Sequence, residues 1–267
     1  MSLIEINAAS YTYPNGFTAV ENINLKIDKA DNIAIIGQNG AGKTTMVKLL
    51  NGLLKPSRGS VIVNGKNTKK YTTAQISREV GYVFQNPDDQ IFNNRVYDEI
   101  AYALVQAGAS QSEIKERVNK YSKLCGVDHL LSENPYDLPL SIRKLVTIAS
   151  VISTQAEVII LDEPTAGQDG LGLTIISNII ATLIEEKRAV ITITHDMEFV
   201  AKHFEKIIVM ANKNIQKIGY PEEIFFDDQI MNVASLKPPV IVQVIQRLGL
   251  KAQTLSSKEL ARIINEL

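Results

Sequence analysis

The feature that most narrows the folds open to this chain is the segment Gly37-Gln38-Asn39-Gly40-Ala41-Gly42-Lys43-Thr44. It follows the apolar run Ile33-Ala34-Ile35-Ile36 and leads into a helical stretch that starts at Thr44. The pattern is G-x-x-x-x-G-K-T between a strand and a helix, an arrangement that cradles the phosphates of a nucleoside triphosphate. Its glycines let the backbone curl so that successive N–H groups face one anion, and the helix adds its positive end. Lys43 is expected to reach the β- and γ-phosphates and Thr44 to place its hydroxyl on Mg²⁺, with Thr45 completing the cradle. The segment implies binding of ATP or GTP.

A chain of 267 residues suffices for one large α/β domain, or for a domain with a small appendix. With 28 basic against 29 acidic residues, nothing points to a nucleic-acid surface. The single cysteine, Cys125, excludes an internal disulfide framework and fits a reducing compartment. Between Leu124 and Gly126 it reads as a core or helix-end thiol. The start, Met1-Ser2-Leu3-Ile4-Glu5-Ile6, lacks the basic head and long apolar stretch of a signal peptide. Apolar runs such as 145–151 fall far short of the ~20 residues needed to cross a bilayer. A chain soluble by itself is expected, with any membrane role arising through a partner.

Short β-branched runs recur at 24–27, 32–36, 61–63, 80–84, 158–161, 190–194 and 207–210. Several are apolar throughout, as in strands buried on both faces of a sheet. Helical stretches at 44–53, 96–106, 112–124 and 172–186 alternate with them, which implies a mostly parallel α/β core. Residues 4–13 and 19–27 read instead as antiparallel strands around the turn Pro14-Asn15-Gly16. Residues 94–153 read as a helical insertion. Beyond Gly219-Tyr220-Pro221 the pattern changes again, with amphipathic helices at 240–248 and 256–267. That tail packs on its own domain or forms a partner or dimer surface.

A phosphate loop alone would also suit a kinase or a GTPase. The segment Val158-Ile159-Ile160-Leu161-Asp162-Glu163-Pro164-Thr165 decides between them: a buried strand ends in two adjacent carboxylates. Successive side chains on a strand point in opposite directions. Asp162 is therefore expected to hold the Mg²⁺ shell, and Glu163 at the strand tip to face an attacking water. Phosphoryl transfer needs this division between charge neutralisation at the metal and orientation of the nucleophile.

Together these parts resemble the ATPase subunit of an ABC transporter, from about Leu3 to Ile224. The resemblance implies an α/β fold: a P-loop ABC ATPase core with an antiparallel β subdomain, a helical subdomain and a small C-terminal helical extension. The ATPase domain then spans 1–225, its helical subdomain about 94–153, and the extension 226–267. It implies ATP and Mg²⁺ as ligands. Tyr13 matches the aromatic that stacks on adenine, with Tyr11 as a rival. Gln85 matches the glutamine that touches Mg²⁺ and water, and that reports the nucleotide's state to the membrane partner. His195 matches the switch histidine at the γ-phosphate. Ala166-Gly167-Gln168-Asp169 falls where the family carries a loop that touches the opposite subunit.

The segment Val83-Phe84-Gln85-Asn86-Pro87-Asp88-Asp89-Gln90-Ile91-Phe92 is similar to the energy-coupling-factor branch, as is Leu236-Lys237-Pro238-Pro239. That branch drives uptake of vitamins or of cobalt and nickel ions. Two ATPases sit there under a transmembrane coupling protein that carries a substrate-binding membrane subunit. The implied location is cytoplasmic, peripheral on the inner face of the cell membrane. Acidic residues after the glutamine receive arginines of the coupling protein; Asp88, Asp89, Asp98 and Glu99 are the candidates here.

One motif departs from the family. Where its Leu-Ser-Gly-Gly-Gln signature belongs, at the start of a helix, this chain has Leu138-Pro139-Leu140-Ser141-Ile142, and the following Arg143 to Ala149 fixes the register. The signature's serine and glycine amides grip the γ-phosphate held by the opposite subunit. Pro139 removes a hydroxyl and a backbone donor, Leu140 adds bulk, and Ile142 lacks an amide side chain. Ser141 is expected to cap the helix and offer one hydroxyl. Loss of one such donor costs on the order of 3 kcal/mol in the transition state. A heterodimer is therefore expected, with one competent site built on this chain's Lys43, Asp162, Glu163 and His195 and a partner's intact signature. The alternative is an ATP-binding assembly or regulatory subunit with little hydrolysis of its own.

Overall fold

The computed structural model describes residues 2–265. In chain order the strands are β1 (Ile4–Thr12), β2 (Thr18–Ile27), β3 (Asn32–Ile36), β4 (Arg58–Val63), β5 (Lys66–Asn67), β6 (Val80–Val83), β7 (Val158–Asp162), β8 (Ala189–Ile193), β9 (Lys206–Ala211) and β10 (Asn214–Gly219). The helices are α1 (Lys43–Leu50), α2 (Thr73–Ile76), α3 (Val96–Gln106), α4 (Gln111–Leu124), α5 (Leu140–Ile152), α6 (Gly170–Glu185), α7 (Met197–His203), α8 (Pro221–Phe225), α9 (Asp228–Val233), α10 (Val240–Arg247) and α11 (Ser257–Asn265).

Two sheets divide the strands by their hydrophobic pattern. Ile4 and Ile6 of β1, Leu25 and Ile27 of β2, and Val61 and Val63 of β4 alternate with more exposed neighbours, and these strands form the antiparallel sheet β2-β1-β4-β5. The turn from β1 to β2 closes with Gly16 N–H on Tyr13 O at 2.9 Å. The continuous apolar runs of β3, β7 and β8 lie in the second sheet, β10-β9-β3-β8-β7-β6, parallel except for β10. Ile33 to Ile36, Ile159 to Leu161, Val190 and Ile191 are wholly buried.

Between β6 and β7 the chain leaves the sheet for α3, α4 and α5. Val96, Ile100 and Leu104 recur every fourth residue on α3, as do Ile114 and Val118 on α4, and they bury against Leu145, Ile148 and Ile152 of α5. Cys125 closes α4 and is fully buried, which pushes its thiol pKa up.

Several boundaries differ from expectation for local reasons. α1 stops at Leu50 rather than reaching 53, because Gly52 takes φ 73° and Leu54 N–H turns back to Lys48 O. α6 starts at Gly170, where Asp169 caps it through Gly172 N–H at 2.8 Å. β10 and the short helices α7, α8 and α9 were not expected; Asp196 and Asp227 cap α7 and α9.

In the tail, Ile224, Phe225, Met231, Ala234 and Val242 join the same core as α3–α5, so this segment packs on its own domain. Val240, Val244 and Leu248, one face of α10, remain open to solvent. Val240 N–H, at the start of α10, donates to Glu198 Oε1 of α7 at 2.6 Å. α11 ends at Asn265; the last two residues of the helix expected over 256–267 lie outside the described residues. No helix among the described residues is long and apolar enough to cross a membrane.

Candidate nucleotide site

β3, β8, β7 and β6 are successive parallel neighbours, so their carboxyl ends share one edge of the sheet. That edge is where ligands settle in parallel α/β folds. It gathers Gly37 after β3, His195 after β8, Asp162 and Glu163 at the end of β7, and Gln85 after β6.

The loop from Gly37 to Gly42 is shaped by close backbone approach. At Gly37 (φ 151°) a Cβ would lie 2.1 Å from Met210 O, and at Gly42 (φ 100°) one would lie 2.6 Å from Ala19 O. Gln38, Asn39 and Gly40 form its exposed crest, while Ala41 is buried. α1 begins with no side-chain cap at Gly42 and no acidic residue in its first turn. The N–H groups of that turn thus lack side-chain partners, which suits a phosphate. Lys43 Nζ donates to Gly37 O at 2.6 Å and Gln38 O at 3.0 Å, folded onto its own loop. Burial lowers its pKa, opposed by the charges of Glu163 and Asp162.

The two carboxylates face different neighbours. Asp162 Oδ2 accepts from Tyr82 Oη of β6 at 2.7 Å. Burial raises the Asp162 pKa, opposed by Tyr82, by the charges of Lys48 and Lys43, and by the Thr44 hydroxyl. Asp162 and Thr44 form a hard-oxygen pair that fits Mg²⁺. Among the described residues no three His, Cys, Asp or Glu side chains gather as a metal cage. An ion here would therefore complete its shell with nucleotide oxygens and water.

Glu163 diverges from Asp162 for a reason other than strand alternation. β7 ends at Asp162, and Glu163 turns away in the left-handed region at φ 50°, its N–H on Ile193 O at 2.8 Å. Glu163 Oε2 accepts from His195 N–H at 3.3 Å, and Oε1 lies 3.3 Å from His195 Nε2. Burial pushes the Glu163 pKa up to about 7; the charge of Asp162 adds to this, while the His195 N–H, Lys43 and Lys144 oppose it. Burial, then the charge of Lys43, holds His195 below its usual value. The imidazole is therefore mostly neutral near pH 7.

The remaining expected residues are placed as follows. Tyr13 Oη sits 3.2 Å from Thr45 Oγ1 beside the phosphate loop, its ring edge-on to Tyr11 at 4.9 Å. Tyr11 packs instead against the core of the antiparallel sheet. Gln85 is exposed, and it is Gln90 that folds the loop, accepting from Phe84 N–H at 3.0 Å. Asp88 is paired with Arg143 Nη1 at 2.5 Å, and Asp98 lies 3.9 Å from Arg95. Glu99 departs from expectation. It is 2% exposed and accepts from the backbone N–H groups of Phe92 and Asn93 and from the Asn93 side chain, so it braces its own loop and is not free for a partner's arginine.

Leu138 and Ile142 pack partly buried on the core, and Leu140 is 48% exposed. Ser141 does not cap α5. Pro139 holds the cap position without a side-chain bond, which leaves Ser141 inside the first turn, its carbonyl accepting from Gln168 Nε2 at 3.0 Å.

Two residues at this edge escaped the sequence reading. Tyr82 had no signal within an apolar strand. Lys144 had one, a cation that follows Arg143 and leads at once into the apolar run of α5; its Nζ donates to Glu163 O and Ala166 O.

Comparison with known proteins gives a consistent picture. A family model described as ABC transporter matches residues 20–166. A protein of Caldanaerobacter subterraneus subsp. tengcongensis that bears the name ABC transporter ATP-binding protein is 41% identical over 247 residues, 92% of this chain but 43% of that protein. The energy-coupling factor transporter ATP-binding protein EcfA of Methanocaldococcus jannaschii is 35% identical over 253 residues, covering 94% of this chain and 91% of EcfA. The solved structure of cbiO1 from Clostridium perfringens, part of the ABC transporter complex cbiONQ, matches with TM-score 0.78 at 30% identity, covering 92% of this chain and 99% of cbiO1. A family match over more than half the chain and an EcfA relative matched nearly end to end place the chain in the ABC transporter ATPases, in their energy-coupling-factor branch.

Proposed function

We propose that this chain energises a membrane importer of a vitamin or a transition-metal ion, working beneath a transmembrane coupling protein and paired with a second, different ATPase. Members of the family hydrolyse ATP with Mg²⁺, and the observation that carries the reading is the meeting of Lys43, Asp162, Glu163 and His195 on one sheet edge.

Each side chain has a task there. Lys43, released from its own loop carbonyls, and the first amides of α1 bind the β- and γ-phosphates. Tyr13 flanks the base; Gln38, Asn39, Gly40 and Ala41 wrap the phosphates between Gly37 and Gly42. Thr44, Asp162 and Gln85 would hold Mg²⁺, which would supply charge neutralisation at the phosphates. Glu163 orients the attacking water and accepts its proton, and His195 steadies both that carboxylate and the γ-phosphate. Asp169 meets the opposite subunit at the end of its loop.

The names of EcfA and of the cbiONQ complex support the transport setting. So does an apolar cleft of about 270 Å³ lined by Leu53, Tyr82, Phe84, Gln90, Ala103 and Val151. It lies beside the loop of Gln85, with Leu53 44% exposed at its rim, and it suits an apolar segment of the coupling protein. This would hold the chain at the inner face of the cell membrane.

The altered signature favours a different second ATPase, because Pro139 and Leu140 offer little to a phosphate across the dimer. It also favours a second reading, a subunit that closes on ATP and scarcely hydrolyses it. Glu163→Gln in the complex purified from native membranes separates the two. A large fall in turnover supports hydrolysis at this site, and unchanged turnover supports the assembly role. Recovery of a second ATPase with an intact signature supports the asymmetric pair; recovery of this chain as the sole ATPase refutes it.

A further inference from the structure

Lys144 is 5% exposed and is followed along α5 by the buried Leu145, Val146, Ile148 and Ala149. Its ammonium reaches out of the helix to the loop after β7, donating to Glu163 O at 2.9 Å and Ala166 O at 2.7 Å. Burial lowers the Lys144 pKa, opposed by the charges of Glu163 and Asp162, and the two carbonyls supply acceptors for the protons of the buried ammonium.

These carbonyls bracket the turn in which Glu163 stands at φ 50°. For a residue with a side chain, that conformation is sparsely populated and survives where its surroundings over-determine it. β8 holds one side of the turn, through Glu163 N–H on Ile193 O at 2.8 Å. α5 holds the other through Lys144. At the start of the same helix, Gln168 Nε2 donates to Ser141 O at 3.0 Å, a third hydrogen bond between this loop and α5.

The geometry points to Lys144 as a positioning residue for hydrolysis: from α5 it fixes the backbone on the C-terminal side of Glu163, opposite the bond from β8, and so ties the aim of that carboxylate to the helix that begins at Pro139–Leu140. The inference rests on Glu163 serving the attacking water. Lys144 needs no contact with nucleotide, since it acts through two carbonyls. Whatever meets Leu138–Ile142 across the dimer then acts through α5 on the turn that carries Glu163.

The test is steady-state ATP turnover by the native complex carrying Lys144→Met, Lys144→Gln or Glu163→Gln, with equilibrium binding of a fluorescent ATP analogue to report a folded site. Met keeps the length and loses the donors, whereas Gln restores an N–H₂. Lys144→Met is expected to lower kcat about tenfold or more, with KM and analogue affinity within about twofold, and Gln to recover most of the loss. A wild-type kcat in Lys144→Met, a loss shared between kcat and KM, or Gln no better than Met overturns the inference. Should Lys144→Met fail to bind the analogue, Gln168→Ala decides, because it cuts the third bond without touching the core. A fall in kcat of about threefold at constant KM supports the linkage, and an unchanged kcat overturns it. Wild-type turnover in Glu163→Gln refutes the role of Glu163 itself, whereas an inactive Glu163→Gln beside an unaffected Lys144→Met refutes Lys144 alone.

Discussion

α1 and α5 both start without a side-chain cap, and both have their first turns near the candidate site's machinery. Their entrances differ. α1 is entered through Gly42, with the buried Lys43 as its first residue and no acid in the first turn. α5 is entered through Pro139, which has no N–H, and the bulky Leu140, which is 48% exposed. An uncapped helix start attracts an anion only where small residues leave it open. The same backbone physics leaves an open helix start at α1 and an obstructed one at α5.

The largest effect should come from the intact side. Glu163→Gln is expected to lower turnover of the assembled complex by about 100-fold or more, measured as phosphate release at saturating ATP. Repair of the obstructed side should act in the opposite direction. Pro139→Ser with Leu140→Gly and Ile142→Gln, made in this chain alone at high concentration, is expected to raise the turnover of self-paired subunits by up to about 100-fold. No gain would mean that the first turn of α5 is not what limits a symmetric pair.

A third experiment probes the electrostatics of the intact side without nucleotide or metal. The Glu163 pKa rises from its ordinary 4.5 to about 7 in the fold, so the folded state binds this proton more tightly than the unfolded chain does. Ionised Glu163 therefore destabilises the fold above about pH 7, and that cost vanishes as pH falls through 7 towards 4.5. Glu163→Gln should raise the unfolding free energy by about 3 kcal/mol at pH 8 and by little at pH 4.5. Denaturant melts at the two pH values read the difference, and a pH-independent gain would contradict the buried-carboxylate account. The smallest effect belongs to Ser141→Ala. Because Pro139 and not Ser141 stands at the cap, the melting midpoint should move by less than the equivalent of about 0.5 kcal/mol, well under the ~1 kcal/mol of a lost cap.

The phosphate loop and the carboxylate pair were legible because their chemistry demands contiguous residues: glycines at fixed offsets, a lysine, and two acids at a strand end. The parallel core was legible because doubly covered strands are apolar along their whole length. Glu99 misled because a glutamate in an acidic stretch has the same letter whether it faces solvent or accepts three hydrogen bonds from residues six and seven positions away. Ser141 misled because a serine near a helix start suggests a cap, and only the backbone shows that the cap lies two residues earlier, at Pro139. Tyr82 and Lys144 act across elements, on Asp162 and on the Glu163 turn, and such pairings carry no local pattern. β10 was missed because Gln216 and Lys217 break its apolar run, and α7 because its seven residues are too few to establish a period.

The hydrogen bond from Val240 N–H to Glu198 Oε1 joins the start of α10 to the helix that starts two residues beyond His195. A subunit cut short before Val240 would keep every residue of the phosphate loop and both carboxylates. It would nonetheless lose the amide that meets Glu198 and the burial of Val242. Trimming the tail to a minimal ATPase would thus free the first turn of α7 from a tether that no residue of the phosphate loop supplies.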